Sequence, residues 1–120
     1  MRALLCLTAC LLTSCGPAWE LVTDRATYAR GETIQLTLRN HSLQMWGYNL
    51  CDLQFEPRLD DERRVCAAIL NGLPALDTAR VDRIIPTDAA PGPYAVKTIV
   101  SPWDNGSVGG EAVATFTITD

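Results

Sequence analysis

The sequence predicts an all-β protein, a β-sandwich of about seven strands, and three observations lead there. Thr33 to Asn40 alternates strictly, with Ile34, Leu36 and Leu38 on one side and Thr33, Gln35, Thr37 and Arg39 on the other. That period of two is the mark of a half-buried antiparallel strand. Glu111 to Thr119 repeats it, with Ala112, Ala114, Phe116 and Ile118 directed inward and Thr115, Thr117 and Thr119 outward. Turn signals recur about every 8–12 residues with no long helical period between them, which is the spacing of a sandwich.

The elements follow in order. Glu20 to Thr23 is a short first strand. Tyr28 to Glu32 is a turn, with Gly31 where a positive φ is easily reached. Thr33 to Asn40 is the second strand, and Asn40-His41-Ser42 ends it. Trp46 to Leu50 is the third, and Leu53-Gln54-Phe55 continues or restarts it beyond Cys51. Asp60-Asp61 turns the chain, and Glu62 to Cys66 pairs back. Cys66 to Leu73 suits either a strand or a helical turn, and Asn71-Gly72-Leu73-Pro74 closes that segment. Ala79 to Ile85 is a strand. Ala89 to Pro93 is a turn, Tyr94 to Val100 a strong strand, and Asp104-Asn105-Gly106-Ser107 a turn carrying the Asn-Gly pair that tight hairpins prefer.

The front of the chain is of a different kind. Met1-Arg2 precedes an apolar run from Ala3 to Leu12, then Leu12-Thr13-Ser14-Cys15. A basic start and a short apolar core make a secretory signal, too short to span a bilayer as a helix. Its end resembles the lipobox of bacterial lipoproteins. The resemblance implies a signal peptide over residues 1–14, acylation of Cys15 and a lipidated, short tether over 15–19, with the domain spanning 20–120. It also implies a cell-envelope location through a lipid anchor. Gly16 is not the Asp that retains lipoproteins at an inner membrane, which favours the outer membrane where an organism has two.

Signal removal leaves about 105 residues, one domain's worth. It also sorts the cysteines. Cys6 and Cys10 leave, Cys15 takes the lipid, and Cys51 and Cys66 remain in an oxidising compartment, where a disulfide is expected. A loop of about 15 residues closed this way contributes on the order of 3 kcal/mol. Two cysteines and one histidine do not make a structural zinc set. The mature chain carries nine cations and fourteen acids. That balance disfavours nucleic acid and anionic lipid as partners.

A second resemblance covers most of residues 20–119. Tyr28-x-x-Gly31-Glu32-Thr33-Ile34-x-Leu36-x-Leu38-x-Asn40-x-Ser42 is similar to the second-strand region of bacterial immunoglobulin-like domains. Gly47-Tyr48-Asn49-Leu50-Cys51 and Pro91-Gly92-Pro93-Tyr94 are similar to other parts of them. The resemblance implies an Ig-like antiparallel sandwich, with Tyr94 as its tyrosine corner, and no single activity. Cys51 and Cys66 stand too close in sequence to bridge the second and sixth strands, so their disulfide is local.

No catalytic signature stands out. His41 is the only histidine, and no serine lies in a Gly-x-Ser-x-Gly elbow. Asp52, Glu56, Asp60, Asp61 and Glu62 form a local acidic cluster, read as solvated, without the Asp-x-Asp-x-Asp-Gly pattern of a calcium loop. Asn40-His41-Ser42 and Asn105-Gly106-Ser107 fit the glycosylation acceptor pattern and are read as turns. Trp19, Trp46 and Trp103 are the aromatics of interest, since an exposed Trp concentrates binding energy. The expected partner-binding residues are Trp103, Trp46 and His41, on loops 40–46 and 101–110 at one end of the sandwich. The expected function is a non-enzymatic binding or structural module, without cofactor or metal, meeting an envelope protein or glycan. The alternative is a protease inhibitor with an Ig-like fold, using the Gly-rich segment 106–110. A small hydrolase is the remote third reading.

Overall fold

A computed structural model describes residues 18–59, 70–103 and 109–120. Nine strands and no helix occur among them: β1 (Trp19–Thr23), β2 (Thr27–Ala29), β3 (Thr33–Asn40), β4 (Trp46–Tyr48), β5 (Gln54–Glu56), β6 (Asn71–Leu73), β7 (Thr78–Ile84), β8 (Gly92–Pro102) and β9 (Gly110–Thr119). They form two sheets. One has the order β1-β3-β7; the other runs β2-β9-β8-β4-β6, with β5 also pairing β8.

The alternation read in the sequence places the core between the sheets. Ile34, Leu36 and Leu38 of β3 are fully buried, and Ala112, Ala114, Phe116 and Ile118 of β9 are buried opposite them, with Tyr94, Val96 and Val100 of β8. Phe116 is the aromatic hub. Its ring stacks on Tyr94 at 5.6 Å and meets Tyr28 and Phe55 edge-on at 5.8 and 6.2 Å. Thr37 departs from the expected outward set, because it is buried. It lies mid-strand on the central strand of its sheet, flanked in register by Val22 and Arg80.

Pairing between distant segments corrects four local readings. Tyr28 and Ala29, expected to open a turn, belong to strand β2, which runs parallel to Thr117–Thr119. Asn71-Gly72-Leu73 is strand β6, paired to Trp46–Tyr48, and does not close the chain as a turn. Trp46–Leu50 is shorter than expected: β4 stops at Tyr48, and residues 49–53 bulge out before β5 resumes on β8. The first strand also begins one residue before the expected Glu20, since Trp19 belongs to β1 and pairs Asn40. Cys51 sits half-buried in the bulge and is not a free thiol. Its expected partner Cys66, the strand expected over 62–66, and the acidic residues 60–62 lie outside the described residues.

A polar cluster at one end pins β2. The Tyr28 hydroxyl donates to Asp24 Oδ1, which also accepts from the Gln35 amide at 2.9 Å. Glu32 accepts from the Ala29 amide at 2.6 Å and from Arg25 at 3.0 Å. The Tyr28 hydrogen bond holds the Asp24 carboxyl below its usual range. The Ala29 amide and then Arg25 do the same for Glu32. Burial, and then Asp24, pushes the Tyr28 phenol up. Both carboxyls are depressed in the folded state, so near pH 4 the unfolded chain binds more protons than the folded one. Their stabilisation is complete above the ordinary carboxylate values of about 4 and is lost as pH falls through the lowered folded values. The urea midpoint should therefore drop below about pH 4, and Asp24→Asn should flatten that dependence. An equally steep acid profile in Asp24→Asn would remove Asp24 from the account.

Candidate functional site

The strand ends collect most of the residues singled out from the sequence at one end of the domain. The chain enters there: the Ala18 carbonyl accepts from the His41 amide at 2.7 Å. Trp46 pairs Pro102 on one side and Leu73 on the other. The β3–β4 loop (41–45), the β6–β7 turn (74–77) and the chain leaving β8 at Trp103 are therefore neighbours, as are residues 109–110 returning to β9. Residues 104–108, with the expected Asn105-Gly106 turn and most of the Gly-rich segment 106–110, lie outside the described residues.

Asn40 organises this end. Its side chain is buried, and Nδ2 donates to the carbonyls of Gln44, Pro74 and Leu73 at 2.7, 2.9 and 3.1 Å. Its Oδ1 accepts from the Ser42 amide at 2.9 Å and the Ser42 hydroxyl at 2.7 Å. The first of these closes an Asx-type turn. The fully engaged amide is unavailable as a glycan acceptor. Ser42 Oγ in turn accepts from Trp46 Nε1 at 2.9 Å. The loop is thus built on a short side-chain relay that ties β3, β4 and β6 together.

That relay decides the roles of the candidates. Trp46 is buried, its ring edge-on to Trp19 at 4.6 Å. It is a core residue and is corrected as a partner-binding candidate, because its indole nitrogen is spent on Ser42 and its ring on Trp19. His41 is half-exposed, and its Nε2 lies 3.0 Å from Glu20 Oε1. Ser42 makes its hydrogen bonds to Asn40, Trp46 and Gln44, so no Ser-His arrangement forms. Trp103 is 44% exposed and keeps its candidacy. The three residues expected to act together are therefore divided between the core, a hydrogen-bond contact with Glu20 and the surface.

Sequence reasoning missed the apolar residues beside Trp103. Leu43 is 84% exposed, Leu76 66% and Met45 39%. The Leu76 amide donates to the Ser42 carbonyl at 3.2 Å, which holds the two loop tips side by side. Leu76 also carries a φ of +61° in the turn closed by Asp77 N to Pro74 O at 3.1 Å. A left-handed leucine costs about 1–2 kcal/mol against glycine there. Met45 and Trp103 both lie over Gly72, where an added Cβ would stand 2.9 Å from the Met45 sulfur and 3.5 Å from the Trp103 ring. The available signal was leucine and methionine within the expected loop 40–46, as Leu43 and Met45, and a leucine, Leu76, in the stretch between Pro74 and the strand expected from Ala79.

Two glycines of the Gly-rich segment have packing reasons. A Cβ on Gly109 would meet the Val100 carbonyl oxygen at 2.1 Å, and one on Gly110 would meet the Trp19 ring at 2.9 Å. Elsewhere, Glu56 of the acidic cluster pairs with Lys97 at 3.1 Å and Asp52 is exposed. Among the described residues no group of three or more His, Cys, Asp or Glu could hold a metal ion. No helix among them is long and apolar enough to cross a membrane. A groove of about 510 Å³ lies at the opposite end, walled by Pro57, Arg58, Pro86, Asp88, Pro91 and Tyr94.

No family model matches the sequence, and no curated protein matches it. A solved structure of the Pseudomonas fluorescens alkylpurine DNA glycosylase AlkC, bound to DNA containing an abasic-site analogue, is similar over 93% of this chain at 18% identity and a TM-score of 0.44. This chain spans 34% of that one, about a third of its length. Likeness at that level carries no argument about activity or DNA binding here.

Proposed function

We propose that this protein is a lipid-anchored, non-enzymatic Ig-like module of the bacterial cell envelope, attached through Cys15 and serving a binding or structural role. The observation that carries the module reading is the strand order. Taken as A, B and E, strands β1, β3 and β7 form one Ig sheet, and β9, β8, β4 and β6 supply G, F, C and C′ of the other. Tyr94 supports the same reading: its hydroxyl donates to the Ala90 carbonyl at 2.7 Å, the geometry of a tyrosine corner at the start of the sixth Ig strand. The anchor reading rests on Leu12-Thr13-Ser14-Cys15. A Cys51–Cys66 disulfide belongs to this reading as a local tie. The non-enzymatic reading is supported by the placement of His41 against Glu20 and the engagement of Ser42 in structure.

No observation favours the inhibitor alternative, since Gly109 and Gly110 are accounted for by backbone and ring contacts. The anchor has a direct test. Cys15→Ser should abolish labelling by radioactive palmitate and move the protein from the membrane to the soluble fraction, or leave it unprocessed. An unmodified mature N-terminus at another residue, read by mass spectrometry, would remove the anchor from the proposal.

A further inference from the structure

The geometry points to the apolar end of this domain resting on the lipid surface that holds Cys15, with Leu43, Leu76 and Trp103 entering the boundary between headgroups and acyl chains. The inference deepens the lipid-anchored reading above and rests on it.

Chain length is the first ground. Ala18 is bonded to His41 at the root of the β3–β4 loop, so the polypeptide joins the domain at this end. Two residues, Gly16 and Pro17, stand between Cys15 and Ala18. Fully extended, the three steps from Cys15 to Ala18 reach about 10 Å. An acylated Cys15 therefore brings the loops 41–45 and 74–77 to the membrane, and the gap left is too narrow for a protein partner to occupy.

The surface chemistry of the end is the second. Leu43, Leu76, Met45 and Trp103 are four of the eight large hydrophobic residues that stand exposed in the described structure. They gather where the anchor attaches. The Leu76 amide bond to Ser42 aligns two leucines as adjacent tips, and Trp103 and Met45 flank Gly72 beside them. Leucine tips with an adjacent indole suit the interface, where a Trp ring is buried and its N–H stays wet. The charged groups nearby are Glu20, whose Oε1 lies 3.0 Å from His41 Nε2, and the exposed Asp77 beside Leu76, whose Oδ1 accepts from the Thr78 amide at 2.8 Å; both carboxylates stay at the level of the headgroups while the apolar tips enter below them. The acidic balance of the chain offers anionic headgroups no attraction, so the apolar residues carry the contact and zwitterionic lipid suffices.

The third is conformational. Leu76 occupies a backbone region that favours glycine, yet presents an apolar side chain 66% exposed. Backbone strain of this kind clusters at functional contacts, and the exposed Leu76 side chain makes this turn a candidate for one.

The test uses the lipidated protein reconstituted into phosphatidylcholine vesicles whose acyl chains carry bromine near the headgroup. Bromine should quench the emission of one of the three tryptophans, and Trp103→Phe should abolish that quenching while the emission of Trp19 and Trp46 remains. Leu43→Ser with Leu76→Ser should reduce the quenching at least twofold without releasing protein from the vesicles. Anchored protein with unquenched emission, and with Trp103 open to aqueous acrylamide, would overturn the inference and leave the anchor standing; the end would then be free for a protein or glycan. Protein that fails to float with the vesicles would overturn the anchor and the inference together.

Discussion

Phe116→Ala should destabilise the domain by about 3–5 kcal/mol, the usual loss for truncating a buried phenylalanine. Phe116 lies at the meeting point of Tyr28, Phe55 and Tyr94, so its removal takes three ring contacts from strands β2, β5 and β8 at once. Aromatic pairs add about 0.5–1.5 kcal/mol each beyond the area they bury, which places this site toward the upper end of the range. A domain of this size has about 5–15 kcal/mol in total, so the variant would be marginal at 37 °C. Urea unfolding followed by circular dichroism measures it, and Phe116→Leu, which keeps most of the volume but none of the ring contacts, should lose less than Phe116→Ala. A loss under about 1 kcal/mol in Phe116→Ala would mean that the cluster closes over the cavity and that the rings are not mutually dependent.

Asn40→Ala should cost about 3 kcal/mol, because it orphans polar groups at a buried junction. Five hydrogen bonds end on this one side chain, and three of the acceptors belong to the chain between β3 and β7. Asn40→Asp tests the polarity of the site. It replaces the Nδ2 donor with an oxygen facing three carbonyls, which raises the carboxyl's folded pKa above its unfolded value of about 3.9. Relative to the wild type at the same pH, the variant's deficit should therefore be smallest below that value and grow as pH rises through the folded pKa. A deficit as small at pH 7 as at pH 3.5 would show that the three carbonyls find other donors. Ser42→Ala removes fewer bonds and should cost only about 1 kcal/mol.

The long strands and their inward faces were legible because their signal is local. Ile34, Leu36 and Leu38, and Ala112 to Ile118, repeat with a period that only a half-buried strand explains, and they are buried as expected. Tyr94 was singled out only through the resemblance to Ig-like domains, and its hydroxyl donates to the Ala90 carbonyl at 2.7 Å. Two of the three-residue strands were not legible. β2 and β6 are too short to show a period, and Asn71-Gly72-Leu73-Pro74 has the composition of a turn. What makes them strands is a partner far away in sequence: β9 for β2 and β4 for β6.

The candidate site divides along the same line. The sequence by itself determined that the chain carries a lipobox-like segment, that its alternating strands must bury one face, and that loops 40–46 and 101–110 hold its single histidine and two of its tryptophans. Only the tertiary structure decided what those residues do. Trp46 and Trp103 are the same residue type, each beside a strand end, and one is core while the other is surface. The difference is Trp19 and Ser42, which the packing of β1 and the Asn40 turn deliver to Trp46 and not to Trp103. Likewise Leu43 and Leu76 lie 33 positions apart in the chain and become neighbours through one backbone hydrogen bond. Burial and adjacency are sums over contacts between distant segments, and no local pattern of residues contains them.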